Sequence, residues 1–424
     1  MSAHAYRWVE SYGAGMTAAE PNPEPNPETN PDSNPETTLE IDLEFLRRVM
    51  LELLEIPSPT GRTDHVQQYV GERLDRLGVP FRVTRRGAIV ADLGGPAESE
   101  ASRAVVVHTD TIGAMIRNLK SNGRLELKPI GTHSARFSEG AAVWVFPDAL
   151  ETVYNGQVLP LKASGHRWNE EVDSQGVSWD HVEVRLDEHV SSIEDLRALG
   201  LDVGDFVAPL AHPLITDNGF VRSRHLDDKA GVAATLAAVK ALKEADAELP
   251  VRAQLLVTCT EEIGHGASHG LDSDVAEMVS VDAAIVAPGQ QSRETAVTVT
   301  MADSVGPFDY HLTRRLHALA RQHDIAVVRD TFAHYRSDAA AAIEAGAHLR
   351  VALLGFGVDA SHGHERTHIN SLHGLAQLLT VWLRSDLVFP RWDAAADGPL
   401  RRFPSLAVQP AQEEGPQEGP IEVE

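Results

Sequence analysis

The spacing of apolar residues is the feature that most constrains the fold of this chain. Between residues 43 and 383 the spacing alternates between about 3.6 residues, typical of helices, and roughly 2 residues, typical of strands. A predicted helix over 228–244, for example, is followed by the short apolar strand 254–258. Strands that alternate with helices predict an α/β fold, here a three-layer sandwich around a mostly parallel sheet.

One stretch, residues 117–213, interrupts this alternation. It contains short strand-like runs separated by Gly, Pro and Asn, and one helix-like segment over 193–199. This composition predicts a small β-rich domain that is inserted into the α/β domain. The α/β domain then consists of residues 39–116 and 214–390.

Both ends of the chain have compositions that do not support a core. Residues 21–35 read PNPEPNPETNPDSNP, with six prolines and no hydrophobic residue. Proline removes backbone donors and no apolar face is present, so residues 1–38 are predicted to be a disordered tail. Residues 391–424 run into an acidic, Pro- and Gly-rich segment and are predicted to be a flexible tail.

The overall charge argues against two classes of partner. The chain has 62 acidic residues and 37 lysines and arginines, a formal net charge of −25. Such a surface repels phosphate backbones and anionic lipid, so neither nucleic-acid binding nor membrane binding is expected. The single cysteine, Cys259, cannot form an intrachain disulfide, and no run of about 18 apolar residues occurs. These features predict a cytoplasmic protein.

Four polar clusters lie at the ends of predicted α/β elements, where ligands of open α/β sheets bind. They are His108 with Asp110, Asp227 with Asp228, Glu261 with Glu262, and the three histidines His362, His364 and His368. Each cluster alone has an ordinary explanation, such as a helix cap for one aspartate or a solvated loop for two of the histidines. Together they offer nitrogen and oxygen ligands without cysteine, which is typical of zinc, cobalt or manganese in a hydrolytic site.

The adjacent glutamates Glu261 and Glu262 are the most informative of these clusters. They follow the apolar run QLLVT, where desolvation of two like charges raises the pKa of at least one carboxyl. A metal ion would relieve this repulsion. One glutamate could then serve as a ligand and its neighbour as a general base.

The order of these motifs resembles that of a known enzyme family. His-x-Asp-x-Ile-Gly at 108–113, Leu-Asp-Asp-Lys-Ala-Gly at 226–231, Glu-Glu-Ile-Gly at 261–264 and a C-terminal histidine are similar to the motifs of the dinuclear metallo-aminopeptidases of the glutamyl and tetrahedral aminopeptidase family. The resemblance extends over roughly residues 40–385 and includes the β-rich insert. Within the family, the chain most resembles the branch associated with the osmoprotectant N-acetylglutaminylglutamine amide.

The resemblance implies two divalent metal ions per chain, Zn, Co or Mn, on a zinc-peptidase-like fold. The implied metal ligands are His108, Asp227, Glu262 and His368, with Glu261 as general base and Asp110 as the partner that orients His108. His364 and His362 remain alternatives to His368, because Arg366-Thr367-His368 is one residue shorter than the Arg-Tyr-x-His of the family.

One ligand of the family is without an obvious counterpart. The family has a carboxylate at the end of the strand after Glu-Glu, whereas here the run 283–286 leads into Ala287-Pro288-Gly289-Gln290. Asp282 lies before this run, at what we expect to be the wrong end of the strand. The sequence therefore predicts either that one metal is held more weakly or that Gln290 serves as a substitute ligand.

Three functions are compatible with these motifs. The first is an aminopeptidase-type exopeptidase that cleaves an amide bond in short peptides or in a peptide-like osmolyte. The second is a deacylase or amidohydrolase of an N-acetylated dipeptide amide. The third is a catalytically reduced binding or assembly protein. The resemblance also implies a homo-oligomer that assembles through the inserted domain.

Overall fold

Helices and strands alternate through the α/β part of the chain in a computed structural model, which describes residues 37–149 and 152–388. The helices are α1 (Leu43–Leu54), α2 (Asp64–Arg76), α3 (Gly165–Trp168), α4 (Glu171–Ser174), α5 (Ile193–Ala198), α6 (Leu226–Glu244), α7 (Tyr310–Gln322), α8 (Asp338–Glu344) and α9 (Ile369–Leu383). The strands are β1 (Phe81–Val83), β2 (Ile89–Gly94), β3 (Ser102–His108), β4 (Gly113–Leu119), β5 (Leu125–Ile130), β6 (Ala142–Phe146), β7 (Tyr154–Pro160), β8 (Val182–Leu186), β9 (Phe206–Pro209), β10 (Leu214–Ile215), β11 (Phe220–Ser223), β12 (Arg252–Thr258), β13 (Val275–Val286), β14 (Val297–Ala302), β15 (Val327–Thr331), β16 (Arg350–Asp359) and β17 (Glu365–His368).

The large sheet has a parallel centre and antiparallel edges. Its order is β1-β2-β12-β3-β13-β16-β17-β11-β10, and β14 pairs with β15 and β16 beside this path. Strands β12, β3, β13 and β16 are mutually parallel, whereas β1, β2, β17, β11 and β10 pair antiparallel with their neighbours. The predicted α/β fold with a mostly parallel sheet is confirmed.

Both faces of this sheet are covered, which accounts for the three layers. Val105 and Val107 of β3 belong to one apolar core that includes α1, α6 and α9. The alternate residues Ala104 and Val106 belong to a second core that includes Ala339 of α8. Since successive side chains of a strand point to opposite faces, one buried strand contributes to two cores.

The inserted domain is a closed barrel, which agrees with the prediction of a β-rich insert. Its strands follow the order β4-β5-β8-β7-β6-β9 and surround a separate apolar core. The barrel strands run from Gly113 to Pro209, so the barrel begins and ends four residues before the predicted limits of 117 and 213. Closure of the sheet leaves no unpaired edge strand.

Two predictions concern residues near the limits of the described chain. The predicted tails, 1–38 and 391–424, lie outside the described residues except for positions 37 and 38.

From residue 37 to 149 and from 152 to 388, every helix is too short or too polar to cross a membrane.

The carboxyl ends of the central strands meet at one edge of the sheet. His108 ends β3 and pairs in register with Thr258, the last residue of β12. On the other side of β3, Val106 pairs with Ser280 of β13, so that Asp282 is level with His108. The barrel begins shortly after His108, and α6 begins shortly after the barrel, so the barrel lies between two of the predicted motifs in sequence.

Candidate active site

His108 is buried at the end of β3, with 1% of its surface exposed. Its Nδ1 lies 3.0 Å from the backbone carbonyl of Asp110, and its Nε2 lies 3.1 Å from Oδ1 of Asp227 and 3.8 Å from Oε2 of Glu261. A proton on Nδ1 satisfies the carbonyl and leaves the lone pair of Nε2 directed at the carboxylates. This is the arrangement of a histidine metal ligand whose tautomer is fixed by its neighbour.

Asp110 connects His108 to the two adjacent glutamates. Its carboxylate accepts hydrogen bonds from the backbone amides of Glu261 at 3.1 Å and Glu262 at 3.2 Å, and from the Thr60 hydroxyl at 2.6 Å. The shortest contact with the imidazole comes from the backbone carbonyl of Asp110, while its carboxylate lies 3.6 Å from Nδ1 of His108 and fixes the loop that carries the glutamates. Asp110 therefore positions both motifs.

Three side chains form what we call the sheet side of the site: His108, Glu261 and Asp282. One ligand atom from each lies within 4.8 Å of the other two. The prediction that Asp282 lies at the wrong end of its strand is wrong. Strand β13 is longer than the predicted run and extends beyond the end of β3, so a residue in its second half is level with His108. A buried aspartate within an apolar strand, here 3% exposed, was the signal that sequence reasoning missed.

Two further side chains, Glu262 and His362, form what we call the loop side. Nε2 of His362 lies 3.6 Å from Oε2 of Glu262 and 3.5 Å from Oδ2 of Asp227. Nδ1 of His362 lies 2.8 Å from the carbonyl of Thr132, in the loop after β5 of the barrel. Asp227 lies between the two sides, because its Oδ1 faces His108 and its Oδ2 faces His362.

The structure places His368, the predicted ligand, outside this cluster. Its Nε2 lies 2.9 Å from the carbonyl of Asn218, and its Nδ1 accepts a hydrogen bond from the amide of Asn370 as the N-cap of α9. Of the three histidines left open by the sequence, the structure brings His362 to the carboxylates. The turn between β16 and β17, in which Ala360 and His362 have positive φ angles, determines this choice.

Glu365 is a second residue that the sequence did not single out. It is 1% exposed, and its carboxylate accepts hydrogen bonds from the amides of Asp227 at 3.2 Å and His362 at 2.9 Å. It thereby connects the start of α6 to the turn after β16. Asp110 and Glu365 thus act in the same way, since each carboxylate binds two backbone amides that belong to the cluster.

Comparison with known proteins identifies the family. The family described as M42 glutamyl aminopeptidase matches residues 87–378. The chain belongs to the M42 family. Its members are aminopeptidases, which are exopeptidases of the metallopeptidase type.

Individual relatives agree with this assignment. A putative aminopeptidase, YhfE, of Bacillus subtilis (strain 168) is 36% identical over 337 residues, which cover 80% of this chain and 96% of the relative. Among solved structures, the TET aminopeptidase of Thaumarchaeota archaeon SCGC AB-539-E09 superposes with a TM-score of 0.72 at 16% identity, over 80% of this chain and 96% of that one. The TET1 peptidase of Pyrococcus horikoshii has a TM-score of 0.71 at 20% identity, over 80% and 99%. These structures share the fold of the M42 chain.

The acidic groups of the M42 site outnumber the histidines that face them. Burial raises the pKa of the Glu262 carboxyl to about 7 and that of Glu365 to about 8. Burial also raises the pKa values of Glu261 and Asp282 well above their usual range. A divalent cation such as Zn²⁺, Co²⁺ or Mn²⁺ binds oxygen and nitrogen donors, and an excess of negative charge favours its binding. These residues therefore fit a metal site.

Burial acts on the pKa values of the two histidines in the opposite direction, but neighbouring carboxylates outweigh it. Burial alone lowers the pKa of His362, but the carboxylates of Glu262 and Asp227 raise it to about 11. Burial likewise lowers the pKa of His108, and its carboxylate neighbours again outweigh this effect and raise the pKa well above the usual value. In the protein alone, protons on these imidazoles partly replace the positive charge that a cation would supply.

The cluster of the M42 chain opens into a cavity of about 1370 Å³. Its walls include both sides of the cluster and residues from the barrel loop, β13, the segment after β15, and α8. A cavity of this size accepts the end of a peptide. Glu261 is among the residues that line this cavity.

A different catalytic motif lies beside the cavity and does not have the matching geometry. Residues 266–270 read Gly-Ala-Ser-His-Gly, which matches the G-x-S-x-G pattern of serine hydrolases. The Ser268 hydroxyl donates to the carbonyl of His265 and accepts from Arg86, so no general base is bonded to it within the described residues. The segment is a short 3-10 turn and not a strand-to-helix elbow. The cluster of histidines and carboxylates around Asp227 is therefore the candidate catalytic site.

Proposed function

We propose that this M42 chain is a two-metal aminopeptidase that removes the first residue of short peptides, with Glu261 as general base. The observation that carries this proposal is the position of Asp227. Its two carboxylate oxygens face histidines on opposite sides, His108 at 3.1 Å and His362 at 3.5 Å. A carboxylate placed in this way suits a bridge between two cations.

The proposed ligands divide between the two sides. His108 and Asp282 would hold one ion, Glu262 and His362 the other, and Asp227 would contact both. Bound divalent ions would lower the pKa of a water molecule and polarise the scissile carbonyl. The separation into two sets follows the distances, since Nε2 of His362 lies near the carboxylates of Asp227 and Glu262.

Glu261 is the residue proposed to move the proton. Its side chain is 12% exposed, lines the cavity and lies beside the proposed sheet-side ligands His108 and Asp282. The Asp110 carboxylate holds its backbone amide, so the Glu261 side chain starts from a fixed position. It accepts a proton from the attacking water and returns it to the leaving amine, as a general base and then a general acid.

Metal analysis together with a peptide assay tests this proposal. The full-length protein, loaded with Zn, Co or Mn, is expected to bind two ions per chain and to release free amino acids one at a time from the amino end of a short peptide. Chelation should abolish the release, and addition of the metal should restore it. Cleavage within the peptide, or release that survives complete metal removal, would contradict the proposal. Two bound ions without hydrolysis would favour the catalytically reduced binding protein.

The relation to the osmoprotectant branch is tested in the same assay. N-acetylglutaminylglutamine amide has no free amino group, so an aminopeptidase releases nothing from it. Release of acetate or of an amino acid from this compound, without hydrolysis of unmodified peptides, would instead favour the deacylase.

We further propose that the chain forms a homo-oligomer through the barrel. The Pyrococcus horikoshii relative is described as assembling into a tetrahedron or an octahedral shell. On this chain, the barrel domain has large apolar side chains that are exposed in the single protomer, namely Phe137, Val153, Leu161, Val177 and Val203. Exposed apolar side chains mark a protein interface where they form one continuous patch, and this is the arrangement we propose for the barrel.

Light scattering tests this assembly with a matched pair of variants. Val203→Asp, at a barrel position that is 61% exposed, should reduce the mass of the particle. Val83→Asp, at a position of the α/β domain that is 58% exposed, makes the same change away from the barrel and should leave the mass unchanged. A single-chain mass for the unmodified protein, or dissociation caused by Val83→Asp alone, would overturn the assembly.

A further inference from the structure

Part of the cavity wall beyond the cluster is apolar. Ala341 and Ala345 of the α8 region lie on one helical face toward the cavity, and Ile285 and Phe332 line it from the end of β13 and the segment after β15. Phe332 is 5% exposed and Ala341 is 4% exposed. The small alanine side chains leave space beside the large ones, so this wall has room for a sizeable apolar group.

The charged groups of this wall neutralise each other. Outside the cluster, the described lining residues include one arginine, Arg336, and one carboxylate, Glu344. Nη2 of Arg336 lies 2.6 Å from Oε2 of Glu344. The remaining lining carboxylates belong to the cluster. A carboxylate on a substrate side chain would therefore find no lysine or arginine in the described lining that is not already paired.

Two other features oppose an acidic substrate. The histidines of the lining outside the cluster, His265 and His334, are exposed to solvent, where water and salt screen their interactions. The chain as a whole has a net charge of −25, and its field repels anions as they approach. An unpaired carboxylate that leaves water for an apolar wall also loses its hydration without compensation.

We infer that the cavity selects peptides whose first residue has a neutral, apolar side chain and rejects peptides that begin with glutamate or aspartate. This inference rests on the proposed function, because the first amide bond must lie at Glu261 for the first side chain to reach this wall. The matching family is described as glutamyl aminopeptidase. The wall of this chain is complementary to a different side chain, of the size and polarity of leucine or phenylalanine.

Aminoacyl p-nitroanilides test the selection on the full-length, metal-loaded protein. We expect kcat/KM for the leucine or phenylalanine compound to exceed that for the glutamate compound by about a hundredfold, because the acidic side chain stays unpaired. Calorimetry with the free products gives an independent measure. L-leucine should bind more tightly than L-glutamate.

One variant tests the paired arginine directly. Glu344→Gln releases Arg336 from its partner, and we expect the ratio of glutamate to leucine hydrolysis to rise by about tenfold. Glu171→Gln is the matched control, because Glu171 forms an ion pair of the same length with Lys162 outside the cavity. It changes the net charge by the same amount and should leave the ratio unchanged. Arg336→Gln in the Glu344→Gln background should remove the gain.

The outcomes separate the two proposals. A glutamate compound hydrolysed as fast as the leucine compound, or equal binding of the two free amino acids, overturns the inference and leaves the aminopeptidase function in place. Failure to hydrolyse any of the compounds, in the presence of Zn, Co or Mn, overturns both. An equal rise of the ratio in Glu344→Gln and Glu171→Gln would mean that net charge, and not the Arg336–Glu344 pair, sets the selection.

Discussion

The sheet side and the loop side of the site are built by different means. On the sheet side, Thr258 pairs with His108 and Ser280 pairs with Val106, so the backbone ladder of the parallel sheet sets the level of His108 and Asp282. On the loop side, His362 lies on a turn whose position depends on single hydrogen bonds to Glu365 and Thr132. A ladder of many hydrogen bonds resists displacement more than the few bonds of a turn do, so the loop side should be the more easily displaced of the two.

The two sides also differ in which domain supports them. The sheet side is formed within the α/β domain. The loop side contacts the barrel, because the Thr132 carbonyl faces His362 and Gly131 lies against Glu262. A change in the barrel loop should therefore affect one side selectively, which gives the comparison a direct test.

The largest effect is expected for Glu261→Gln, which distinguishes a base from a ligand on the sheet side. Turnover of a leucine substrate should fall by a factor on the order of a hundred or more, because the amide cannot accept the proton. Metal content, measured by elemental analysis, should stay near that of the unmodified protein. Loss of an ion together with the activity would instead make Glu261 a ligand.

The next effect is expected for Asp282→Asn, which removes a proposed ligand of the sheet side. The variant should lose one of two ions under mild chelation and most of its activity, because an amide oxygen supplies only a dipole to the cation. Pro288→Asp is the control, since Pro288 lies farther along the chain, where the sequence alone suggested the missing carboxylate. If Pro288→Asp tightens metal binding and Asp282→Asn does not weaken it, the register argument fails.

A smaller and selective effect is expected for Gly131→Ala in the barrel loop. A Cβ atom at this position would lie 2.9 Å from Cγ2 of Ile112 and 3.3 Å from Oε2 of Glu262, so we expect about tenfold weaker binding of the loop-side ion. Gly140→Ala is a matched control, because Gly140 has a similar φ of +79° but no atom within 4 Å of the added Cβ. Both variants carry the same backbone strain. Equal losses of metal in both would show that strain, and not contact with Glu262, is responsible.

A pH effect is expected at the junction of the barrel and α6. His225 is buried with its Nε2 3.0 Å from the carbonyl of Pro209, and burial lowers its pKa from 6.5 to about 3. Below pH 6.5 the unfolded chain takes up a proton that the folded chain does not, so stability is complete above pH 6.5 and falls as the pH is lowered toward 3. At pH 5 this amounts to at most about 2 kcal/mol.

Urea unfolding of His225→Asn measures this contribution. Asparagine tolerates the positive φ of this position and does not titrate, so the free energy of unfolding should depend less on pH between 7 and 5 than in the unmodified protein. Identical pH dependence of the two proteins would mean that other groups cause the acid destabilisation.

The smallest effect is expected for His368→Ala. Its side chain caps α9 and contacts Asn218, so the loss should be limited to about 1 kcal/mol of the free energy of unfolding. Metal content and kcat/KM should not change. A variant that binds one ion fewer would return His368 to the ligand set in place of His362.

The sequence by itself determined the α/β fold, the β-rich insert, and four side chains that the structure brings together: His108, Asp227, Glu261 and Glu262. Local pattern was sufficient for these, since each follows a strand or precedes a helix whose apolar period is clear. Adjacent carboxylates at a buried strand end also identify themselves, because their mutual repulsion requires a compensating charge.

Tertiary structure decided the rest. Asp282 reaches His108 because β13 extends past the end of β3, and the relative level of two parallel strands is set by their pairing, which neither strand encodes alone. His362, and not His364 or His368, reaches Asp227 because one turn is held by Glu365 and by a carbonyl of the barrel, from Thr132, 230 residues earlier in the chain. Local spacing cannot separate three histidines within seven positions, since the contacts that choose among them come from distant segments.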